Sequence, residues 1–562
     1  MVVFFKNVIV GAGPAGIQMA YYLQQANEPY VILEKSDHMG AFFTTFPRKG
    51  KLISVNKRYC GETASSEFKL RFDWNSLLND GGDPEFRFTK YSEDVFPSTM
   101  CLRAYLQDFA DTYGVSQHVA FNCAVTKISR SADATADFEI TTTGETYQCQ
   151  RLFYGAGVVP KDIPEYLTIL ASEFNAKLYT YKNFPMDDDG DSFKNKHVCV
   201  VGTGNAGFEA AEYINKYSAS IAICGPAKVA WRQHYPGFLR SNNMSLLDTF
   251  FLKINNVMYN PPENSPFGEK TNAFFGQVNM HLQNELIQWS KRGNGIDAIV
   301  YCGGFRFNDA PFDESVIPQV EKGFPVLTSG YESVNVPGLY FIGTLMQSHD
   351  YKKGSSGFIH GFRYNIRYLA RTLFEQITPQ RMSYEQCIEH MIERINNSSC
   401  MQLRYEYFGD CCVFLENGEI DYYEDVRVDF AQQRCFERSW TVRLGFARDF
   451  DWSFYQQEYL HPRDSHNCAF LHPIIDYVNG EKEYEFHIIE SPWVQFVDPT
   501  VQIAPLKLYW DFAVTKRTDS QALRKEILAM KINTCDLRHP EVRERMGIEP
   551  NKCTTCTAIT KK

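Results

Sequence analysis

No stretch of this sequence approaches the roughly 20 consecutive apolar residues that a membrane-spanning helix needs. Positive charge is in deficit: 57 Lys and Arg face 67 Asp and Glu, giving a net charge of -10, which argues against a nonspecific nucleic-acid partner. The first strand-like run begins at Val2, leaving no room ahead of it for a charged segment, an apolar segment and a cleavage site. A cytoplasmic protein without a membrane partner is expected. A disulfide framework is also missing, because the 16 cysteines are scattered and mostly sit in apolar runs such as CVFL and FNCAV, the pattern of reduced, buried thiols. With 44% hydrophobic and 22% charged residues there is no composition for long disordered tails.

What is present is a chain of 562 residues, enough for two or three domains. Two segments use the same device: VIVGAGPAGIQMAYYL from Val8 to Leu23 and VCVVGTGNAGFEAAEYI from Val198 to Ile214. Each reads as an apolar strand, a G-x-G-x-x-G turn and a helix. Such a turn cradles a pyrophosphate, because small glycines let the backbone approach and the helix presents free N–H groups and its positive end.

In the first cradle Gly11, Gly13 and Gly16 supply the fingerprint, with Ala15 between them. Glu34 ends the next strand 18 residues after Gly16, where a carboxylate can accept hydrogen bonds from a ribose. In the second, Gly202, Gly204 and Gly207 repeat the spacing around Asn205, but the same count of 18 from Gly207 reaches Gly225. An acid there would repel a 2′-phosphate. Glycine removes the repulsion, and Lys228 and Arg232 offer cations nearby, although a solvated loop is the competing reading for both. One cradle is therefore expected to hold FAD and the other NADPH, which together imply hydride transfer to flavin.

Along the chain, strands are expected at Tyr30 to Glu34, Ala120 to Ile128 and Phe138 to Phe153, with a helix at Cys101 to Tyr113. The acidic stretch PMDDDGDSFKNK, Pro185 to Lys196, reads as a solvated linker. The fold class is α/β, with two Rossmann-like dinucleotide-binding domains and a C-terminal α+β extension. The expected domains are 1–160 and 301–375 for FAD, 161–300 for NADPH and 376–562 for the extension.

This arrangement resembles the two-dinucleotide flavoproteins, which include flavin-containing monooxygenases and thioredoxin-reductase-like enzymes. DAIVYCGGFRF looks like their strand at the interdomain crossing and VPGLYFIGT like their last flavin-domain strand. GAGPAGIQMAYYLQ, RKGKLISVNKRY, FDWNSLL, SNNMSLLDTF, GFIHGFRYNIR and FLHPIIDY further resemble the FAD-dependent oxidoreductase domain-containing proteins. Architecture and size also resemble single-component decarboxylating 4-hydroxybenzoate brominases. The resemblance implies that reduced flavin meets oxygen to form a C4a-hydroperoxide, which transfers oxygen to a small aromatic substrate or is captured by bromide. Hydroxylation or N- or S-oxygenation is the alternative. A thiol–disulfide reductase using Cys553 and Cys556, in KCTTCTAI, is another. Two departures stand out: Thr344 follows Gly343 where the family usually has a flavin-contacting acid, and FYGAGVVPKD only partly echoes the F-x-G-x-x-x-H motif.

For chemistry on the flavin, Lys49, Lys51, Lys57 and Arg58 follow the first ribose acid, and Lys51 is the candidate to orient a substrate carboxylate or halide. Solvated surface competes for each. Gly357 is expected to open a helix whose positive end faces the flavin, placing His360 and Arg363 on its first turns as catalytic candidates beside the flavin contact. A structural histidine is the competing reading. No metal site is expected.

Overall fold

The computed structural model describes residues 2–224, 240–243, 245–246, 256–259, 295–351, 353–445, 471–479 and 482–487. The chain divides into two compact units, one of Met1–Arg58 with Asp73–Ile366 and one of Tyr59–Phe72 with Arg367–Lys562.

The first unit holds two large sheets built on one plan, besides two small two-stranded ones. In the seven-stranded sheet, Val2–Val10 lies between Tyr30–Leu33 and Thr146–Tyr154, parallel to both. Val119–Ala120 extends one side, and the antiparallel strands Phe138–Thr142 and Val125–Arg130 extend the other. The late strand Leu339–Phe341 returns to pair with Thr146–Tyr154. The five-stranded sheet is parallel throughout, in the order 256–259, 220–224, 197–201, 298–301, 177–180. In both sheets the strand that leads into a glycine turn therefore has a neighbour on each side, the topological switch point at which α/β sheets bind ligands beyond their strand ends.

Both faces of the second sheet are covered, which explains why VCVV, Val198 to Val201, is apolar at every position rather than alternating. Side chains of a strand point alternately to opposite faces. Val198 and Val200 pack with Phe208, Ile214, Ile221 and Ile223, while Cys199 and Val201 pack with Leu167, Leu170 and Ala222 on the other face.

Two of the strands expected from sequence are each two strands. Ala120 to Ile128 breaks into Val119–Ala120 and Val125–Arg130, and Phe138 to Phe153 is a hairpin turning at Thr143 to Glu145. The periodicity is continuous across each break, and the turn at Gly144 is held by Thr142 Oγ1, which accepts from the Gly144 N–H at 3.1 Å. The expected helix is Thr99–Thr112, capped by Ser98, whose hydroxyl accepts the Cys101 N–H. Within the acidic linker Phe193 is fully buried, so that stretch is anchored rather than merely solvated.

The second unit carries a six-stranded sheet in the order 380–382, 420–427, 408–414, 438–445, 472–479, 482–487. Its helix Tyr384–Asn397 begins in a reciprocal capping box between Ser383 and Gln386. Beneath it Arg394 donates to the buried carboxylate of Asp410 at 2.8 and 3.1 Å and to Asp425 at 2.5 Å. Tyr422 donates to Asp410 at 2.8 Å, so the buried charges are paired and hydrogen-bonded. Among the described residues no helix is long and apolar enough to cross a membrane.

Candidate functional site: two open glycine cradles

The two cradles match glycine by glycine. Gly11 (φ +100°) and Gly202 (φ +137°) take backbone conformations that favour glycine. Side chains there would also collide: a Cβ would lie 2.9 Å from the Gly155 carbonyl oxygen at Gly11 and 2.3 Å from that of Cys302 at Gly202. At Gly16 and Gly207 a Cβ would stand 1.9 Å from the carbonyl oxygen of Gly11 and of Gly202 respectively, so both positions are small because helix and strand touch.

Gly13 and Gly204 differ. Both are extended residues at a helix start, ahead of Pro14–Gln25 and Asn205–Ile214, and neither offers a side-chain cap. A Cβ at either would meet nothing within 4 Å of the protein. Packing does not require glycine there. Space above uncapped helix N–H groups is what a pyrophosphate needs.

The remaining first-cradle residues gather at the same place. Glu34 is buried, and its two oxygens accept the backbone N–H groups of Ala12 at 2.7 Å and Ser36 at 2.9 Å. Each oxygen keeps a second lone-pair direction for a ribose hydroxyl. Gly343 (φ +74°) closes on the cradle helix, where a Cβ would come within 2.6 Å of the Ala15 Cβ. Thr344, standing where an acid was expected, donates its hydroxyl to the Gly357 carbonyl at 3.1 Å.

Gly357 itself does not open the helix. The helix runs Ile359–Leu373, because the Phe358 N–H closes a turn onto Ser355 O at 2.9 Å and the helical bonds start from Phe358. His360 is buried and stacks on Trp74, with ring centres 4.3 Å apart and planes at 28°. Arg363 is completely buried, donating to the Asp73 and Ser76 carbonyls at 3.0 and 2.8 Å. Its guanidinium thus holds the loop that presents Trp74. Lys51 is exposed, as are Lys57 and Arg58, while Lys49 is half-buried. Lys228, Arg232 and Gly225 lie outside the described residues, as do Cys553 and Cys556.

Of the residues that join the cradles, Phe46 and Arg48 escaped the sequence reading, and Lys49 was read only as a cation near the first ribose acid. Phe46 stacks on Tyr181, with centres 5.4 Å apart at 18°. Arg48 donates its N–H to Tyr181 at 3.1 Å and its guanidinium to the Phe184 carbonyl at 2.8 Å. The Lys49 N–H reaches the Glu209 carboxylate on the second cradle helix at 2.8 Å, and its ammonium reaches Glu212 at 3.3 Å and the Asn242 carbonyl at 2.6 Å. Burial raises the Glu209 carboxyl above the ordinary carboxylate range. Asn56 donates to the Ser92 and Asp94 carbonyls at 2.9 and 3.2 Å, while its buried Oδ1 has no hydrogen-bond partner among the described residues. A buried acceptor left over in this way suits a site completed by a ligand.

This fold and these two cradles define a flavoprotein oxidoreductase that binds FAD and NAD(P)H in tandem Rossmann-like modules. The chain belongs to the pyridine nucleotide-disulphide oxidoreductase family, whose model matches residues 8–343. It is 30% identical to the mouse FAD-dependent oxidoreductase domain-containing protein 2, over 89% of this chain and 83% of that protein. The zebrafish protein of the same name is also 30% identical, over 74% of this chain and 66% of that protein. A flavin-containing monooxygenase of Arabidopsis thaliana, FMO GS-OX-like 3, is 24% identical over 60% of this chain and 70% of its own length.

Proposed function

We propose that the protein takes hydride from NADPH onto FAD and spends the electrons on oxygen, acting on a small aromatic substrate of phenolic character. The observation that carries this reading is that two cradles, each left open at one glycine, lie in one unit and are tied together through Phe46 to Lys49. When bound, FAD accepts the hydride and supplies electrons for oxygen chemistry. Residues 1–160 and 301–375 form the FAD module, 161–300 the NADPH module and 376–562 the extension. Gly11, Gly13, Ala15, Gly16, Glu34, Gly343 and Gly357 serve FAD, and Gly202, Gly204, Asn205 and Gly207 serve NADPH. Gly225 in place of an acid, with Lys228 and Arg232 close by in sequence, supports NADPH over NADH. Such a preference would narrow in Gly225→Glu.

His360, at the start of its helix, is the group we place nearest the chemistry. Arg363 positions the Trp74 loop from behind, and exposed Lys51 attracts an anionic substrate. Oxygen chemistry is favoured over thiol–disulfide exchange at the second cradle, where burial pushes the Cys302 thiol beside Gly202 well above the ordinary thiol range and so disfavours its thiolate. The likeness to a plant flavin-containing monooxygenase supports the same reading.

Its narrowest form is bromination of a hydroxybenzoate with loss of the carboxylate, which rests on the resemblance of the sequence in architecture and size to single-component brominases. Electrophilic bromine attacks ring carbons activated by the phenol oxygen, including the carbon that bears the carboxylate. Incubating the holoprotein with NADPH, oxygen and a phenol panel containing 4-hydroxybenzoate, with and without bromide, tests each version by mass spectrometry. Added oxygen supports a hydroxylase, and a bromine isotope doublet supports the narrow form. If no phenol reacts and NADPH-dependent disulfide reduction is lost in C553S/C556S, the oxygen reading is wrong.

A further inference from the structure

Residues 240–243 touch places that the sequence holds far apart. The Arg240 N–H donates to Asn205 Oδ1 at 2.8 Å, and Asn243 Nδ2 donates to the same oxygen at 3.0 Å. Asn205 is the first helical residue after Gly204, the open position of the second cradle. At its other end, Arg240 lays its guanidinium carbon 4.8 Å from the centre of the Trp74 ring and 5.8 Å from that of Phe358. His360 belongs to the same stack, 4.3 Å from Trp74 and 5.5 Å from Phe358. Phe358 follows Gly357, whose carbonyl holds Thr344, and Thr344 follows Gly343 packed on Ala15 of the first cradle helix. Arg240 thus meets the second cradle through its backbone and the edge of the first through aromatic rings.

We propose that Arg240 is a positioning residue for hydride transfer, setting the nicotinamide cradle against the flavin cradle through the Trp74, Phe358 and His360 stack. The proposal rests on the two-cofactor reading above. A planar, delocalised guanidinium can lie along aromatic faces and hold one orientation there, whereas a lysine ammonium is a point charge without a plane to align. Both cradles are strand–turn–helix units, so the contacts between them set how donor and acceptor meet, and Arg240 is the contact that reaches the aromatic stack at the edge of the first cradle. Hydride transfer is sensitive to this: a displacement of about 1 Å costs on the order of a hundredfold in rate.

The test uses the holoprotein with bound FAD. In the wild type, NADP+ binding is expected to change the visible circular dichroism of the flavin. In R240A, calorimetry should still find NADP+ bound, while the flavin signal no longer responds and the limiting anaerobic rate of flavin reduction by NADPH falls about tenfold or more. W74L should do the same, and R240A/W74L should be no worse than either alone, because the two act as one unit. R240K keeps the charge and most of the stem, so it guards against a folding failure, and it should behave like R240A. A flavin signal that still responds in R240A or R240K with an unchanged reduction rate would overturn the proposal, as would additive losses in the double variant. A wild-type flavin that NADPH leaves oxidised would overturn the two-cofactor reading and this proposal with it.

Discussion

The backbone N–H of Lys49 donates to the buried carboxylate of Glu209 at 2.8 Å, and the same oxygen accepts the Tyr181 hydroxyl at 2.9 Å. One side chain on the second cradle helix therefore satisfies two donors, one of them from the segment that follows the first cradle. Glu209→Gln keeps an acceptor oxygen for both donors, so it should cost much less than Glu209→Ala in chemical denaturation. Glu209→Ala strands both donors and should cost about 1–3 kcal/mol.

Gly13 and Gly16 lie in the same turn but should fail differently. Gly13→Val puts its side chain where the protein leaves room for a pyrophosphate, so the protein should fold and purify colourless. Gly16→Ala drives a Cβ toward the Gly11 carbonyl oxygen, 1.9 Å away in the present geometry, and should lower the melting temperature of the apoprotein as well. Measuring flavin content and apoprotein melting on both variants separates the two. A yellow, stoichiometrically loaded Gly13→Val would show that the first cradle has been misassigned.

Gly204→Val applies the same logic to the second cradle. It should retain FAD at full stoichiometry while titration with NADP+ gives no binding heat. Loss of FAD from this variant would mean that the two cradles do not hold separate cofactors.

Much of this site was legible as spacing. Gly11, Gly13 and Gly16, and again Gly202, Gly204 and Gly207, carry their meaning locally, because strand, turn and helix lie within a few residues of one another. The residues that join the cradles were not legible. Arg363 finds its acceptors 290 and 287 residues away, at Asp73 and Ser76, and Lys49 finds Glu209 at a separation of 160. No periodicity encodes such pairs. Arg363 accordingly reads from sequence as a catalytic candidate beside the flavin contact, although its guanidinium is committed to backbone carbonyls. The helix start was misplaced by two residues for a related reason: the Gly357–Phe358 turn has the composition of a helix entry, and only the bond from Phe358 to Ser355 shows that it is still a turn.

In the second unit, the hydrogen bond to Glu424, 2.7 Å away, raises the His390 imidazole above its ordinary value, and the same bond lowers the Glu424 carboxyl. A base with a raised folded value stabilises the folded state fully below its unfolded value, and that contribution disappears as pH rises through the folded value. Stability of this unit should therefore decline as pH climbs from about 6.5 through the raised value of His390. His390→Gln should flatten that slope in denaturation curves taken across the range. A slope that survives the substitution would place its source elsewhere.

The central claim is that the two cradles hold a flavin and the nicotinamide that reduces it. Mixing the oxidised holoprotein with NADPH in the absence of oxygen and following the flavin absorbance tests this directly. Complete bleaching, much faster with NADPH than with NADH and restored on admitting oxygen, is the predicted result. A flavin that stays oxidised with either nicotinamide would contradict it.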